Sequence, residues 1–496
     1  MSDRPGSGAD ALWAAGSPGL GAPEGTEWET VIGLEVHAEL LTRTKLFSSS
    51  PNAFGGEPNT HIDPVCLGLP GTLPVLNRHA VELAVRVGLA LGAEVRPSIF
   101  ARKNYFYPDM PKDYQISQYD RPINVGGRLE LPSGKVVRIE RAHLEEDTGK
   151  TTHMGGAGRI DGAAYSLVDY NRAGVPLLEI VSRPDMRSAA EAREFVAELR
   201  ATLVAVGASD GKMEEGSLRV DANVSVRPAG VSRLGTRCEI KNVNSLRSLG
   251  RALEHEARRQ IELLTSGEAV AQQTRHWDED EGRTTALRSK EEATDYRYFP
   301  EPDLVPLAPE GAWVEQIRAE LPLLPRQRRR RLADATDEAP ARVSLIVERG
   351  QDDLALEAVE AGAPAAAVLK HLEQNLAGGT GALTAAGLAE LLAMEESAEL
   401  TSNQVKDVLA DMARTGQAPA AVARRLGFEA VGAGELAVLV DRMIAEHPEE
   451  WRRLCSGEGR ERKKMQGFFT GQVMRATKGQ ADGRRVAALL AERAGS

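Results

Sequence analysis

Between residues 31 and 241, five short stretches alternate apolar side chains with charged or polar ones at a period of two. They are Val31–Glu39 (VIGLEVHAE), Val137–Glu145 (VRIERAHLE), Pro176–Val181 (PLLEIV), Ser217–Val226 (SLRVDANVSV) and Arg237–Lys241 (RCEIK). Successive side chains of a strand point to opposite faces, so the pattern predicts five strands, each with one face of Val, Leu, Ile, Ala or Cys. The polar residues then fall together on the other face: Glu35 with His37 and Glu39, His143 with Glu145 and Asp147, Arg219 with Asp221 and Asn223, and Glu239 with Lys241. The expected picture is one half of a sandwich core with a chemically loaded surface on its back.

Helical spacing enters in two places in this half of the chain. Arg187–Gly207 reads as a helix, with Ser188 as N-cap and Glu191 completing a capping box. Asn244–Thr265 is a second, with Leu249, Leu253, Ala257 and Ile261 on one stripe. Gly155–Gly162 is expected to be a flexible loop. Past about residue 315 the texture changes: proline thins, Ala, Leu, Glu and Arg dominate, and apolar residues recur at three and four. The expectation is an α+β protein. A disordered extension over 1–28 precedes a β-rich cradle domain of antiparallel sheet over 29–310, then an all-helical domain over 311–410 and a helical tail over 411–496. The last junction is placed near 400–415, where Leu400-Thr-Ser-Asn-Gln404 looks like a capped helix start.

Composition narrows the class. A chain of 496 residues has room for two to four domains with real cores. A formal net charge of −11 argues against a protein that coats nucleic acid through bulk charge. Residues 451–496, however, hold eleven Lys and Arg against four Asp and Glu, a basic end suited to phosphates or a solvated helix surface. Cys66, Cys238 and Cys455 show no C-x-x-C spacing, so neither a disulfide framework nor a four-cysteine zinc site is expected, and a reducing cytoplasm fits. No stretch of about 18 apolar residues is present, which predicts no membrane span. The first 28 residues lack a basic segment followed by a hydrophobic one, so they do not read as a signal peptide.

The polar strand faces carry the candidate chemistry. One wetted face is ordinary for an antiparallel sheet, and cross-strand ion pairs stabilise it modestly. Such a face has no reason to concentrate Asp, Asn and His, and the acid pairs Glu145-Glu146 and Glu214-Glu215 lie close by. Clustered carboxylates call for a cation, and an oxygen-rich set suits Mg²⁺, Ca²⁺ or Mn²⁺. Gly149-Lys150-Thr151 resembles the end of a phosphate-binding loop, but the glycine required five positions earlier is Leu144 and the residues between are acidic. Gly155–Gly162 fails the dinucleotide fingerprint at Asp161, and Gly432-x-Gly434-x-x-Ala437 lies in helical surroundings and reads as a turn. Lys150 and Arg172 follow the acidic segments and fit phosphoryl chemistry, or serve as ion-pair partners. Arg102–Tyr119 packs five aromatics among Arg and Lys, enough to stack a base and hold a phosphate, or to pack a loop. Asp295–Pro302 carries the same ambiguity.

Several motifs in order resemble a known family. Val31–His37, Arg102-Lys-Asn-Tyr-Phe-Tyr-Pro108, Leu144-Glu-Glu-Asp-Thr-Gly-Lys150, Asp169-Tyr-Asn-Arg172 through Glu179-Ile-Val-Ser182, Lys212-Met-Glu-Glu-Gly-Ser-Leu-Arg219 and Asp295–Pro300 are similar to the B subunit of aspartyl/glutamyl-tRNA amidotransferase. The resemblance runs from about residue 29 to the end, through Met465–Met474 and Lys478-Gly-Gln480. It implies a carbon–nitrogen ligase that takes its amide nitrogen from glutamine and works in a heterotrimer with an amidase-type glutaminase subunit plus one small subunit. The substrate is a mischarged Glu-tRNA(Gln) or Asp-tRNA(Asn), whose side-chain carboxylate is phosphorylated with ATP and Mg²⁺ and then amidated by channelled ammonia. A tRNA-binding scaffold whose partners carry the chemistry is the competing reading.

Carried over by position, the resemblance implies a metal site of Glu35, His37, Glu145 and Glu179, with His37 favouring Mn²⁺ or acting through water. It implies catalytic roles for Glu35, Glu145, Lys150, Arg172 and Glu214. Arg219, Asp221, Asn223, Asp169 and Asn171 would line the nucleotide pocket. The loop around Tyr105 and Tyr107 would meet the tRNA end or an interface. Two departures stand out: Asp63-Pro-Val-Cys66 replaces the Cys-Pro-Val-Cys of some relatives, which removes half of a zinc motif, and Gly155–Ala164 lengthens the loop before Asp169.

Overall fold

The computed structural model describes residues 25–155, 162–286, 297–428, 433–457, 459–477, 481 and 483–495. Most of the expected N-terminal extension, the interior of the Gly155–Gly162 loop, Asp295 and Tyr296, Gly432, and Lys478–Gln480 lie outside them. The chain divides into two compact units, Met1–Arg326 and Gln327–Ser496.

The first unit holds fifteen strands among the described residues: β1 (Trp28–Glu39), β2 (Glu94–Val95), β3 (Ala101–Asn104), β4 (Tyr114–Ser117), β5 (Asn124–Val125), β6 (Arg128–Glu130), β7 (Val136–Glu146), β8 (Lys150–Met154), β9 (Tyr165–Asp169), β10 (Pro176–Ser182), β11 (Leu218–Pro228), β12 (Cys238–Val243), β13 (Gln273–Asp278), β14 (Arg283–Ala286) and β15 (Tyr298–Pro300). Ten form one sheet in the order β14-β13-β12-β11-β1-β10-β7-β5-β2, with β6 also on β7. All five alternating stretches are central strands of it. The sheet is antiparallel except for β12 and β13, which run parallel. Parallel neighbours need a long crossover, and the 20-residue helix between them supplies it.

Four helices belong to this unit among the described residues: α1 (Arg78–Ala90), α2 (Ala189–Ala205), α3 (Leu246–Thr265) and α4 (Gly311–Ala319). Ile32, Leu34, Val36 and Ala38 of β1, Leu178 and Ile180 of β10, and Val220, Ala222 and Val224 of β11 form one core with Phe195 and Leu199 of α2 and Leu249 and Leu253 of α3. Each buried Leu, Ile or Val adds roughly 1.5–3 kcal/mol, and a one-residue slip of β1 would turn Glu35 and His37 into that core. Register is therefore strongly specified where the polar residues lie.

Both expected helices are present, α2 with Ser188 as N-cap and α3 with Ser245. The capping box of α2 is altered, because Glu191 accepts from the backbone N–H of Arg187 at 2.8 Å, not from that of Ser188. Residues 311–326, grouped at sequence level with the helical domain, pack on the sheet core through Trp313, Val314, Ile317 and Leu324. The aromatic stretch is not a plain loop: β3 and β4 pair antiparallel and β15 adds to β3, forming a separate three-stranded sheet.

The second unit is helical throughout its described residues. One apolar cluster runs from Leu332 to Ala423 and another from Leu436 to Leu490. Thr401 caps the helix Ser402–Thr415 with a full capping box through Gln404, as the sequence predicts. That helix runs through the expected junction at 410–411, and its Val405, Val408, Leu409 and Met412 all belong to the first cluster. The clusters separate between residues 428 and 436. No described helix is long and apolar enough to cross a membrane.

Candidate functional site: a metal-competent triad on the polar sheet face

The cross-strand register builds the site. His37 lies opposite Glu179 of β10 on one side and opposite Arg219 of β11 on the other. Glu179 in turn faces His143 of β7, and Glu145 pairs with Leu177, two residues before Glu179. Because Leu34, Val36, Leu178, Ile180, Ala142 and Leu144 turn into the core, His37, Glu179, His143 and Glu145 share the opposite face.

His37 Nε2 is 3.6 Å from Glu145 Oε1 and 3.6 Å from Glu179 Oε2. One ligand atom from each of the three residues lies within 4.8 Å of the others. An octahedral ion bonded at about 2.1 Å to two adjacent ligands holds them ~3 Å apart, so small side-chain movements complete a coordination set. Two carboxylates and an imidazole suit a divalent cation, the nitrogen favouring Mn²⁺ over Mg²⁺. Behind the triad, His143 Nε2 is 3.5 Å and Arg141 Nη2 3.6 Å from Glu179, and Arg141 Nε donates to His143 Nδ1 at 3.4 Å.

The electrostatics are those of a buried acid cluster. Burial would lower the pKa of His37, but contact with Glu179 and the charges of Glu179, Glu145 and Asp221 prevail and raise it to about 9. Burial and the neighbouring Glu179 raise Glu145. Burial, together with Glu179, Glu239 and Asp221, lifts Glu35 to about 7. Glu179 is the exception: burial opposes its ionisation, yet His143, His37 and Arg141 around it hold it well below the usual carboxylate range. His143, buried beside Arg141 and His37, drops to about 4. In that neutral form its share in holding Glu179 at pH 7 passes to His37 and Arg141. The protonated His37 thus stands where a metal's charge would act.

The other predicted residues separate into groups. Glu35 is on the same face but outside the triad, since its cross-strand partner on β10 is Val181 and its Oε1 accepts from Asn223 Nδ2 at 2.9 Å. Of the four residues expected to hold a metal, His37, Glu145 and Glu179 bring ligand atoms together and Glu35 is not among them. Asp221 and Glu239 share Lys241 Nζ at 3.0 and 3.1 Å, and Glu239 also accepts from Thr274 at 2.8 Å. Arg219 and Arg172 both meet Asp147 Oδ2, at 2.8 and 3.3 Å. Asp169 and Asn171 are committed to backbone: Asp169 Oδ1 accepts from Asn59 N and Asn171 N, and Asn171 accepts from His61 N and donates to Glu57 O. They tie down the 57–61 loop. Lys150 is exposed on the two-stranded β8–β9 hairpin, opposite Asp169 and off the main sheet. Glu214 is exposed in the turn before β11.

Gly149, which gives the chain its false phosphate-loop look, is a packing glycine. A Cβ there would sit 2.9 Å from Asp169 O and 3.0 Å from Asp109 O. Of the aromatics, Tyr119 stacks on Tyr298 at 3.9 Å and Arg102 lies over Tyr114 at 4.2 Å. Phe106 remains 79 % exposed and lines a 390 Å³ cavity with Tyr107, Met110 and Tyr170. Sequence reasoning passes over Arg141 and leaves Asp147 out of the site, although both follow from the period of two that singles out His143 and Glu145.

Comparison with known proteins places this site in a family. A family model described as the GatB/GatE catalytic domain matches residues 30–315, and one described as the GatB domain matches 365–493. The chain is 50 % identical to the B subunit of the aspartyl/glutamyl-tRNA(Asn/Gln) amidotransferase of Anaeromyxobacter dehalogenans, over 95 % of this chain and 99 % of that one. It is 48 % identical to the protein of the same name from Moorella thermoacetica, over 94 % of this chain and 100 % of that one. For that from Thermosynechococcus vestitus the identity is 46 %, over 94 % and 96 %. With the catalytic-domain model covering more than half of the sequence and these relatives matched over nearly all of it, the chain belongs to the family of B subunits of aspartyl/glutamyl-tRNA(Asn/Gln) amidotransferases.

Proposed function

We propose that the polar sheet face is where ATP phosphorylates the side-chain carboxylate of Glu-tRNA(Gln) or Asp-tRNA(Asn), and where ammonia then forms the amide. The chain is thus one component of a glutamine-dependent carbon–nitrogen ligase serving translation. The supporting observation is the convergence of His37, Glu145 and Glu179, ligand atoms within 4.8 Å of each other, on a face bordered by two arginines. A scaffold that only held tRNA would have no need for buried carboxylates brought together in this way.

In the reaction a carboxylate oxygen bonds to the γ-phosphorus as the bond to the β-bridging oxygen breaks and ADP leaves. Ammonia nitrogen then bonds to the acyl carbon, inorganic phosphate departs with the C–O electron pair, and the nitrogen gives up a proton. His37, Glu145 and Glu179 would hold a divalent ion, Mg²⁺ or Mn²⁺, which would supply positive charge to the phosphate oxygens. Arg219 and Arg172 add fixed positive charge at the same face, while Asn223 fixes the Glu35 carboxylate beside it. Neither Lys150 nor Glu214 is required, and Asp169 and Asn171 act by shaping the neighbouring loop.

Ammonia comes from a glutaminase partner, and a small third subunit makes up the cytoplasmic heterotrimer. The cradle takes residues 29–326, the helical domain follows to about 428, and the basic tail from 433 holds the tRNA body. The decisive variant is Glu145→Gln in the reconstituted complex, assayed for glutamine hydrolysis and for carboxylate phosphorylation separately. Intact glutaminase with phosphorylation reduced ~10²-fold or more supports the proposal. Undiminished amidation overturns it in favour of the scaffold.

A further inference from the structure

Asp147 lies just past the end of β7 and is tied on every side. Its N–H donates to Val175 O at 2.8 Å, its C=O accepts from Gly174 N at 2.9 Å, and its Oδ1 accepts from Thr148 N at 2.8 Å. The remaining oxygen, Oδ2, receives Arg219 Nη2 at 2.8 Å and Arg172 Nε at 3.3 Å. Arg172 is fixed further by donating to Thr148 O at 3.0 Å and Gly149 O at 2.8 Å. The carboxylate side chain is 4 % exposed, whereas the two guanidinium side chains are 33 % and 35 % exposed. One buried acid thus holds two half-open bases.

Two guanidiniums on one carboxylate leave one positive charge, which the nearby Glu39 carboxyl, raised to about 7 by burial, offsets only in part, and the group borders the triad because Arg219 is the cross-strand neighbour of His37. Arg219 Nε and Nη1 make no hydrogen bond with a described residue, so donors remain in the planar fork that suits carboxylate or phosphoryl oxygens. A lone surface arginine would lose side-chain entropy on meeting an anion; one already immobilised by Asp147 loses less. Lys150, the other cation expected to serve here, is on a separate hairpin.

We infer that Asp147 is a positioning residue that clamps Arg219 and Arg172 into a two-arginine subsite for the anionic oxygens of a reactant, carboxylate or phosphoryl, next to the His37–Glu145–Glu179 triad. The inference rests on the reaction proposed for this face. It adds that Arg219 acts as a fork-shaped donor and not merely as a charge, and that Asp147 acts only through the two arginines.

The test uses the complete complex, with Asp147→Asn, Arg219→Lys and Arg219→Gln, and titrates ATP and aminoacyl-tRNA separately. Arg219→Lys keeps the charge and loses the fork, so the KM for one reactant should rise roughly ten- to hundredfold while the other stays within about twofold. A rise for ATP assigns the phosphoryl oxygens, and a rise for aminoacyl-tRNA assigns the side-chain carboxylate. Asp147→Asn should raise the same KM as Arg219→Lys. A variant complex with wild-type KM values for both reactants, or Asp147→Asn acting on kcat alone, overturns the inference. If Asp147→Asn lowers the melting temperature too far to assay, the two Arg219 variants decide it alone. Glutamine hydrolysis by the same complexes, together with amidation by the wild type, separates failure of this subsite from failure of the reaction itself.

Discussion

Two acid clusters share one face of the sheet, and their charges are handled in opposite ways. On β11 and β12, Asp221 and Glu239 are bridged by Lys241, an ammonium carried by the chain itself, and burial of that lysine is outweighed by the two carboxylates, which raise its pKa. On β1, β10 and β7, Glu145 and Glu179 share only the His37 imidazole, itself driven up to about 9 by their charge, while Arg141 lies 3.6 Å from the other oxygen of Glu179 and bridges no second carboxylate. The same alternation produces both clusters, so residue type and spacing do not distinguish them. The difference is whether the register sets a permanent cation between the two carboxylates, as Lys241 is set and Arg141 is not. A carboxylate pair with its own lysine is a solved electrostatic problem, whereas one facing a proton that can leave is a place for a metal.

The largest effect should come from Glu179→Gln. Glu179 touches His37, His143 and Arg141, so its loss removes a ligand and strands buried bases. Divalent-ion affinity measured by calorimetry should fall by about a hundredfold or more, with destabilisation of about 3–5 kcal/mol in chemical unfolding. Unchanged affinity would mean that the triad is not the metal site. The complementary change, Lys241→Met, should turn the quiet cluster into a second acid site. Mn²⁺ titration should then reveal an additional weak binding event absent from the parent. Lys241 is nearly half exposed, so solvent screening limits its loss to about 1 kcal/mol. If no second event occurs, a resident lysine is not what separates the clusters.

A period of two assigns faces without knowledge of neighbours, and so it places Glu35, His37, Glu145, Arg219, Asp221 and Asn223 on polar strand faces, with Glu179 on the polar side of its own short run. Register between strands is a property of pairs, and it decides the finer questions. Glu35 stays outside the triad because its neighbour on β10 is Val181, its acidic neighbour on β11, Asp221, is bound to Lys241, and Asn223 takes its carboxylate. Asp147 falls on the polar face by the same period, but its ties to Arg219 and Arg172 are contacts between distant segments that no strand pattern shows. The aromatic stretch is hard to read because β3 and β4 are four residues each, too short for alternation to stand out. The helix between β12 and β13 is legible from its apolar stripe, but a helix alone does not say whether the strands it joins pair with each other or in which direction. In the second unit, the cap at Thr401 is visible in the sequence but marks a helix within one apolar cluster, not the start of a new one.

A smaller and more diagnostic effect is the dependence of metal-free stability on pH. His37, at about 9 in the folded chain against an ordinary 6.5, binds its proton more tightly when folded. Its contribution is therefore complete below pH 6.5 and is lost as pH rises towards 9, with a ceiling of about 3 kcal/mol. Glu35, at about 7 against an ordinary 4.5, has the same sign: the folded state holds the extra proton, so stability falls as pH climbs from 4.5 to 7. Both make the metal-free chain less stable on the alkaline side, and both prepare the site for a cation, because the proton on His37 must leave before its nitrogen can bind one. The melting temperature should decline between pH 6 and pH 9 without divalent ions, and added Mn²⁺ should raise it more at pH 8.5 than at pH 6.5. His37→Gln should flatten the His37 part of that decline while leaving the Lys241 cluster untouched. Equal stabilisation by Mn²⁺ at the two pH values would place the ion somewhere other than on His37.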